Sequence, residues 1–121
     1  MNPTLSKSQY IKGLQCPKAL WFYKHRKDLA PEITPVKQAI FDTGHEVGHV
    51  AQEYFEGGIE VTADYWDIEK AVELTNKYRE EGYKLVYEAT AVHPVTGLYS
   101  RIDILRKVDD SAEWELLEVK S

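Results

Sequence analysis

The C-terminal stretch of the chain, residues 84–121, constrains the fold more than any other part of the sequence. Three segments rich in apolar residues lie there, at 84–93, 98–107 and 113–120, separated by turn signals at 94–97 and 109–112. β-Branched and aromatic residues favour strands, whereas Pro, Gly and Asp favour turns. The pattern therefore predicts a three-stranded antiparallel meander.

The register of this meander determines which charged side chains meet. If the second turn is centred between positions 110 and 111, Asp103 faces Glu118; if the first is centred between positions 95 and 96, Glu88 faces Asp103 as well. Residues i and i+2 share a face of a strand, so Lys120 lies beside Glu118. Directly opposed carboxylates repel one another, and a hard divalent cation such as Mg²⁺ or Mn²⁺ would relieve that repulsion.

Composition limits the class of protein. The 121 residues are 43% hydrophobic and 12% aromatic, which allows one domain, or part of one, with a real core. No apolar run is long enough to cross a membrane and no signal-peptide pattern is present, so no membrane partner is expected. The single cysteine excludes an internal disulfide framework and indicates a reducing compartment, which predicts a cytoplasmic location.

Charge is distributed unevenly along the chain. The net charge of −5 argues weakly against nucleic acid, but residues 1–27 contain no acidic side chain. A basic arm ahead of an acidic body could contact phosphate, although two ordinary solvated helices would explain the same charges. The basic residues of the arm are Lys7, Lys12, Lys18, Lys24, Arg26 and Lys27.

The first 82 residues have the pattern of helices with one short strand at 59–62. Ser6 caps a first helix over 5–14, Pro17 opens a second over 18–25, Pro35 opens a third that runs to about 55, and Asp67 caps a fourth. We divide the chain into a basic helical arm (1–33), helices around His45 (34–82) and a catalytic meander (83–121).

The long third helix carries an apolar or small stripe at helical spacing. Gly44 and Gly48 lie on one face of this helix, which suggests close approach of another backbone; a locally weak helix is the alternative. The stripe consists of Val36, Ile40, Gly44, Val47, Ala51 and Tyr54.

The same helix contains the pattern His-Glu-x-x-His, which places two imidazoles one turn apart. A zinc peptidase could use His45 and His49 as ligands and Glu46 as base, with Glu69 as a third ligand. On a helical wheel, however, His49 points nearly opposite the apolar stripe, whereas His45 lies nearer its edge. The zinc peptidase remains the alternative enzyme.

A second interpretation combines His45 with the meander. The order of a helical His, an Asp on the second strand and Glu-x-Lys on the third resembles the PD-(D/E)xK nuclease superfamily, in its RecB-like and CRISPR-associated exonuclease branch. The opening of the chain also resembles that branch. The matching stretches are Leu5-Ser6-Lys-Ser, Cys16-Pro-Lys-Ala-Leu-Trp21, Gly44-His45, Arg101-Ile-Asp103-Ile-Leu and Leu117-Glu118-Val119-Lys120-Ser121.

The resemblance implies a metal-dependent nuclease that hydrolyses nucleic-acid phosphodiester bonds, with DNA as the expected partner and an exonuclease-like action. By matching position, His45, Asp103 and Glu118 bind Mg²⁺ or Mn²⁺, and Lys120 orients or activates the attacking water. Glu88 is not part of the family signature and is assigned as an additional or outer ligand. A degenerate nuclease fold used only for binding is the non-enzymatic alternative.

The resemblance also implies a mixed α/β (α+β) fold with a restriction-endonuclease-like core, in which N-terminal helices precede the meander. Family members continue beyond the Glu-x-Lys signature, so the domain is expected to be incomplete at its C-terminus and to belong to a longer protein. The last strand would then leave an open edge through which two chains could form a homodimer.

Cys16 matches the first of four cysteines that hold an iron–sulfur cluster in related exonucleases. One cysteine cannot form that site, so a cluster is expected only in a longer chain. Within these 121 residues we expect a buried, inert cysteine.

Overall fold

Each α-helix begins directly after a residue whose side chain caps it. In the computed structural model, which describes residues 2–121, Ser6 accepts from the Gln9 N–H while the Gln9 side chain accepts from the Ser6 N–H. Cys16, Thr34 and Asp67 each accept from the N–H three residues further on, which confirms the predicted helix starts. The helices are α1 (Lys7–Gln15), α2 (Pro17–His25), α3 (Pro35–Tyr54) and α4 (Ile68–Glu80), with a 3₁₀ turn at Lys27–Leu29.

Five strands form one open, mixed sheet, so the predicted mixed α/β class is confirmed. They are β1 (Leu5–Ser6), β2 (Ile59–Glu60), β3 (Leu85–Val92), β4 (Leu98–Lys107) and β5 (Trp114–Leu117). The order is β1–β4–β3–β2, and β5 also pairs with β4. β1 pairs parallel with β4, and β2 pairs parallel with β3. β3 pairs antiparallel with β4, and β4 pairs antiparallel with β5. β1 was predicted as the start of the first helix, because two residues are too few to show a strand period.

The strand registers are those predicted from the two turns. Val86 pairs with Leu105 across β3 and β4, and Ile104 pairs with Leu117 across β4 and β5. Continuing these registers would place Asp103 opposite Glu88 on one side and Glu118 on the other. Neither pair belongs to the observed ladders. β5 ends at Leu117, before position 118.

The β3–β4 ladder lacks a residue pair at Glu88, which has a left-handed backbone with φ of 54°. For a residue with a side chain this conformation costs about 1–2 kcal/mol. Val86 and Ala89, on either side of Glu88, belong to the same buried cluster. Since residues three apart on a regular strand face opposite ways, the strand is distorted at this carboxylate.

The core lies where α4 packs on the sheet. Thr75 of α4 is buried and its Oγ1 accepts from the Thr90 N–H of β3 at 3.0 Å, which ties the helix to the strand. The buried hydrophobic cluster contains Val61, Ala71, Val86, Ala89, Ile102 and Leu105. None of the helices within residues 2–121 has the length and apolar character needed to cross a membrane.

The C-terminal end of α3 is anchored to the sheet through Tyr87. The Tyr87 hydroxyl donates to the Phe55 carbonyl and accepts from the Gly58 N–H at 3.0 Å. A Cβ at position 58 would lie 2.5 Å from Tyr87 Cζ, so only glycine fits there without a shift. This contact places α3 beside the sheet and leaves a cleft between them.

The predicted apolar stripe of α3 turns inward only in part. Val47 and Ala51 are half-buried, and Gly44 lines the cleft. Val36, Ile40 and Tyr54 are largely exposed, at 73%, 60% and 81%. The suggestion that Gly44 and Gly48 allow close backbone approach is also wrong, because no atom lies within 4 Å of a Cβ built at either residue. Both glycines border open space instead.

Candidate functional site

A cleft of about 820 Å³ separates α3 from the sheet. We call it the acidic cleft, because four of its lining residues are carboxylates: Glu60, Asp64, Glu88 and Asp103. The cationic or titratable groups that share it are His45, His49, Lys70 and Arg101. The predicted site residues His45, Asp103 and Glu88 thus line a single cleft, although they come from α3, β4 and β3.

Asp103 is held in position by the chain that follows β5. Its Oδ2 accepts a hydrogen bond from the Val119 N–H at 2.8 Å, and both residues line the acidic cleft. The carboxylate is half-buried at the centre of β4, a strand that has neighbours on both edges. A hydrogen bond to one oxygen leaves the other available to a ligand in the cleft.

Glu88 has an electrostatic environment that disfavours its charge. Partial burial raises the pKa of Glu88 above its usual value, and the charges of Asp103 and Glu60 raise it further. Arg101 and His45 oppose this effect without cancelling it. Like charges crowded into a cleft are typical of a functional site and indicate where a cation would be stabilised.

This environment predicts a pH-dependent stability for Glu88→Gln, measured in EDTA. A raised native pKa gives a contribution to stability that is complete below the unfolded pKa and is lost as pH rises through the native pKa. The variant should therefore have the higher Tm at pH 7. The difference should shrink on acidification and vanish below about pH 4, near the unfolded pKa of glutamate.

Thermal unfolding of both proteins between pH 4 and pH 8 measures this effect. Glu73→Gln is the matched control, because Glu73 is an exposed carboxylate of α4 that does not line the acidic cleft. An unchanged Tm difference for Glu88→Gln across that range would contradict the proposed environment.

Glu118, the predicted third ligand, does not line the acidic cleft. It accepts from Lys7 Nζ at 2.8 Å and from Lys120 Nζ at 3.1 Å, and these bonds hold the pKa of Glu118 below its usual value. The side chain of Lys120 is 79% exposed. The predicted row of three carboxylates therefore divides into two within the cleft and one in an ion-pair network outside it.

The side chains do not form a preassembled metal site. Across residues 2–121, no three His, Cys, Asp or Glu side chains lie close enough together to hold a metal ion. The chemistry of the donors still suits a hard divalent cation, because Glu88 and Asp103 offer carboxylate oxygens and His45 an imidazole nitrogen within the same cleft. The three residues therefore fit a divalent cation in the type of their ligand atoms and in their location in one cleft.

The zinc-peptidase pattern is only partly brought together. His45 and His49 both line the acidic cleft, contrary to the helical-wheel prediction for His49, because α3 turns this face toward the sheet. Glu46 is absent from the lining, and Glu69 borders a separate depression with Trp66 and Tyr99. The pattern supplies two imidazoles to the cleft, without its base or its third ligand.

Cys16 was predicted to be buried, and this prediction is wrong. It is exposed and caps α2, where its Sγ accepts from the Ala19 N–H at 3.4 Å. The cause is its position in the connection between α1 and α2, two helices in which no residue is buried.

The sequence interpretation missed Glu60 and gave no role to Arg101. Glu60 lies in the two-residue strand β2, where it pairs with Tyr87 of β3, the residue directly before Glu88. A strand this short gave no sign that it joins the sheet beside β3. Arg101 could have been noticed, because it lies two residues from Asp103 and so on the same face of a regular strand.

Comparison of the chain with family models, with curated proteins and with solved structures gives no match. The functional interpretation therefore depends on the geometry of the acidic cleft and on the order of the sequence motifs.

Proposed function

We propose that this chain carries the active site of a metal-dependent nuclease that hydrolyses nucleic-acid phosphodiester bonds. The observation that carries the proposal is that Asp103 and Glu88, which lie on adjacent strands, line the same cleft as His45 of α3. The charge crowding at Glu88 supports it, because a cation would remove the repulsion.

Mg²⁺ or Mn²⁺ is the proposed cofactor, held by Asp103, Glu88 and His45, with Glu118 as a further ligand. When bound, such an ion would supply charge neutralisation at the phosphate and would make a water molecule more acidic near neutral pH. Lys7 competes for Glu118, since it bonds the same Oε1 that Lys120 contacts.

The residues of the chain would contribute positioning and charge. Asp103 is oriented by the Val119 N–H, and Arg101 offers a guanidinium that can bind a phosphate oxygen beside the carboxylates. Lys120 is proposed to hold the attacking water or to stabilise the charge that develops on phosphate. These roles need Lys120 to approach the cleft from its ion pair with Glu118.

The finer assignment of the fold belongs to the same proposal. A sheet with an antiparallel β3–β4–β5 segment, preceded by helices and bearing its carboxylates on the middle strands, is compatible with a restriction-endonuclease-like core. DNA as the substrate and an exonuclease-like action are expected from the resemblance of the motifs to the RecB-like branch.

Isothermal titration of the protein with MnCl₂ and with ZnCl₂ tests the proposal. We expect Mn²⁺ binding that is unaffected by His49→Ala, because the proposed ligands do not include that imidazole. Addition of Mn²⁺ should also enable cleavage of an end-labelled oligonucleotide, and EDTA should stop it.

Each alternative function predicts a different result. Tight Zn²⁺ binding that is lost in His49→Ala, together with peptide hydrolysis that is lost in Glu46→Ala, would replace the nuclease with a zinc peptidase. Oligonucleotide binding without Mn²⁺ binding or cleavage would identify a degenerate fold used for binding alone.

A further inference from the structure

A second cleft, of about 590 Å³, lies between the N-terminal arm, the segment before α4 and the strands β3 and β4. We call it the basic–aromatic cleft. Its lining residues include the cations Lys7, Lys24, Lys27 and Arg101 and the aromatic residues Tyr65 and Trp66. No Asp or Glu from residues 2–121 is among them, although the chain as a whole has a net charge of −5.

Four cations therefore converge on a cleft whose lining includes no carboxylate. Lys24 Nζ donates to the Thr4 carbonyl at 2.8 Å and Lys7 bonds Glu118, so the protein itself engages these two. Lys27 and Arg101 form no ion pair with any residue between 2 and 121. Positive charge gathered in a concave site attracts anions, although the charge of Arg101 is partly offset by Glu88 in the adjacent acidic cleft.

Large aromatic side chains line the same cleft and are open to solvent. Trp66 is 68% exposed and Tyr65 is 80% exposed, and both lie in the loop before α4. Tyr23 of α2, which is 47% exposed, lines the cleft with them. Aromatic faces beside cations are the combination that binds unpaired bases together with their phosphates.

The floor of the cleft contains a buried polar atom without a partner. Thr90 is only 3% exposed, and its Oγ1 forms no hydrogen bond within residues 2–121. An unsatisfied buried hydroxyl is destabilising, so such groups commonly have a ligand or water as their partner. Because Thr90 lines the cleft, a ligand bound there could accept its hydrogen bond.

We propose that the basic–aromatic cleft binds nucleotides of an unpaired nucleic-acid strand, with phosphates on Lys27 and Arg101 and bases on Trp66 and Tyr65. Arg101 also lines the acidic cleft, so a strand bound here would continue toward Asp103. The inference rests on the proposed nuclease function and deepens it by naming the substrate as single-stranded at this site.

Fluorescence anisotropy of labelled dT12 in EDTA tests the site without any need for metal or cleavage. We expect binding that weakens as salt rises and that exceeds binding of a 12-base-pair duplex. Trp66→Ala should weaken binding of the single strand about tenfold by removing one stacking surface. Lys27→Ala should reduce the salt dependence, by about 0.7 in the log–log slope, for each phosphate that the lysine neutralises.

The chain offers matched controls outside both clefts. Tyr54→Ala removes an aromatic side chain that is 81% exposed, and Lys37→Ala removes a lysine of the same helix. Neither should change the affinity or the salt slope. Oligonucleotides with and without a 5′-phosphate distinguish recognition of a strand end from recognition of its interior.

Thr90→Val provides a variant that tests the site with little risk of unfolding. It keeps the shape of the side chain and removes an unpaired hydroxyl, so Tm should stay the same or rise. Affinity for dT12 should nevertheless fall severalfold. A purely structural role for Thr90 would not combine an unchanged or higher Tm with a lower affinity for dT12.

Three results would overturn the inference: no binding of dT12 at low salt, equal binding of the duplex, or affinities that Trp66→Ala and Lys27→Ala leave unchanged. The outcome is separable from that of the nuclease proposal. Binding in EDTA by a protein that never cleaves would uphold this site, and Mn²⁺-dependent cleavage that is insensitive to Trp66→Ala would reject it.

Discussion

Asp103→Asn should lower Mn²⁺ affinity and Mn²⁺-dependent cleavage by at least about 100-fold. Changing groups that merely orient a metal ligand already costs about 10–100-fold, and Asp103 is proposed to be a ligand itself. Asparagine keeps an oxygen that can accept the Val119 N–H, so the position of the side chain is retained while its charge is lost. Isothermal titration with MnCl₂ and the rate of oligonucleotide cleavage measure the two effects.

Asp110→Asn is the matched control for this experiment. Asp110 lies in the turn between β4 and β5, outside the acidic cleft, with φ of 54°, a conformation that asparagine adopts readily. The control should bind Mn²⁺ and cleave as the unchanged protein does. Equal cleavage by Asp103→Asn and Asp110→Asn would exclude the acidic cleft as the catalytic site.

Lys120→Ala should lower kcat for cleavage about 100-fold or more while Mn²⁺ affinity stays within a few-fold of its original value. Groups that transfer a proton or stabilise developing charge typically contribute about 10²–10⁴-fold to the rate. Lys120 is not a ligand in the proposed site, so the metal should remain bound. Single-turnover cleavage rates and MnCl₂ titrations of the same protein separate the two quantities.

Lys7→Ala separates catalysis by Lys120 from simple neutralisation of Glu118. Both ammonium groups bond the same carboxylate oxygen, at 2.8 Å and 3.1 Å. If each lysine only compensates the charge of Glu118, the two variants should reduce kcat to a similar extent. A specific role for Lys120 instead requires that Lys7→Ala retain kcat and change mainly KM, and equal loss of kcat would rule that role out.

Local sequence signals were sufficient for much of the fold. Helix starts were predicted because capping depends on a side chain and an N–H only three residues away, as at Thr34 and Asp67. The registers of β3, β4 and β5 were predicted because each pair is joined by a short turn, and the turn fixes which residues face each other. Asp103 and Glu88 were assigned to neighbouring strands in this way, although they do not form a pair of the observed ladder.

Features that depend on distant residues escaped prediction. The bond between Glu118 and Lys7 joins positions 111 residues apart, and no short-range pattern signals it. Likewise, the apolar stripe of α3 suggested that Val36 and Ile40 face inward, but the Tyr87 anchor holds only the C-terminal end of the helix against the sheet. The distortion at Glu88 was also unforeseen, because a regular strand pattern continues through it.

β1 and β5 both pair with the same edge of β4, and this arrangement limits the order in which parts of the fold can form. During synthesis, β1 has no strand to pair with until Leu98 has been made, and the Asp103 carboxylate has no Val119 N–H to accept from until residue 119 has been added. Contacts of such high sequence separation slow folding, since a long loop must close before they form. The acidic cleft can thus be completed only after synthesis has passed residue 119, beyond every carboxylate that lines it.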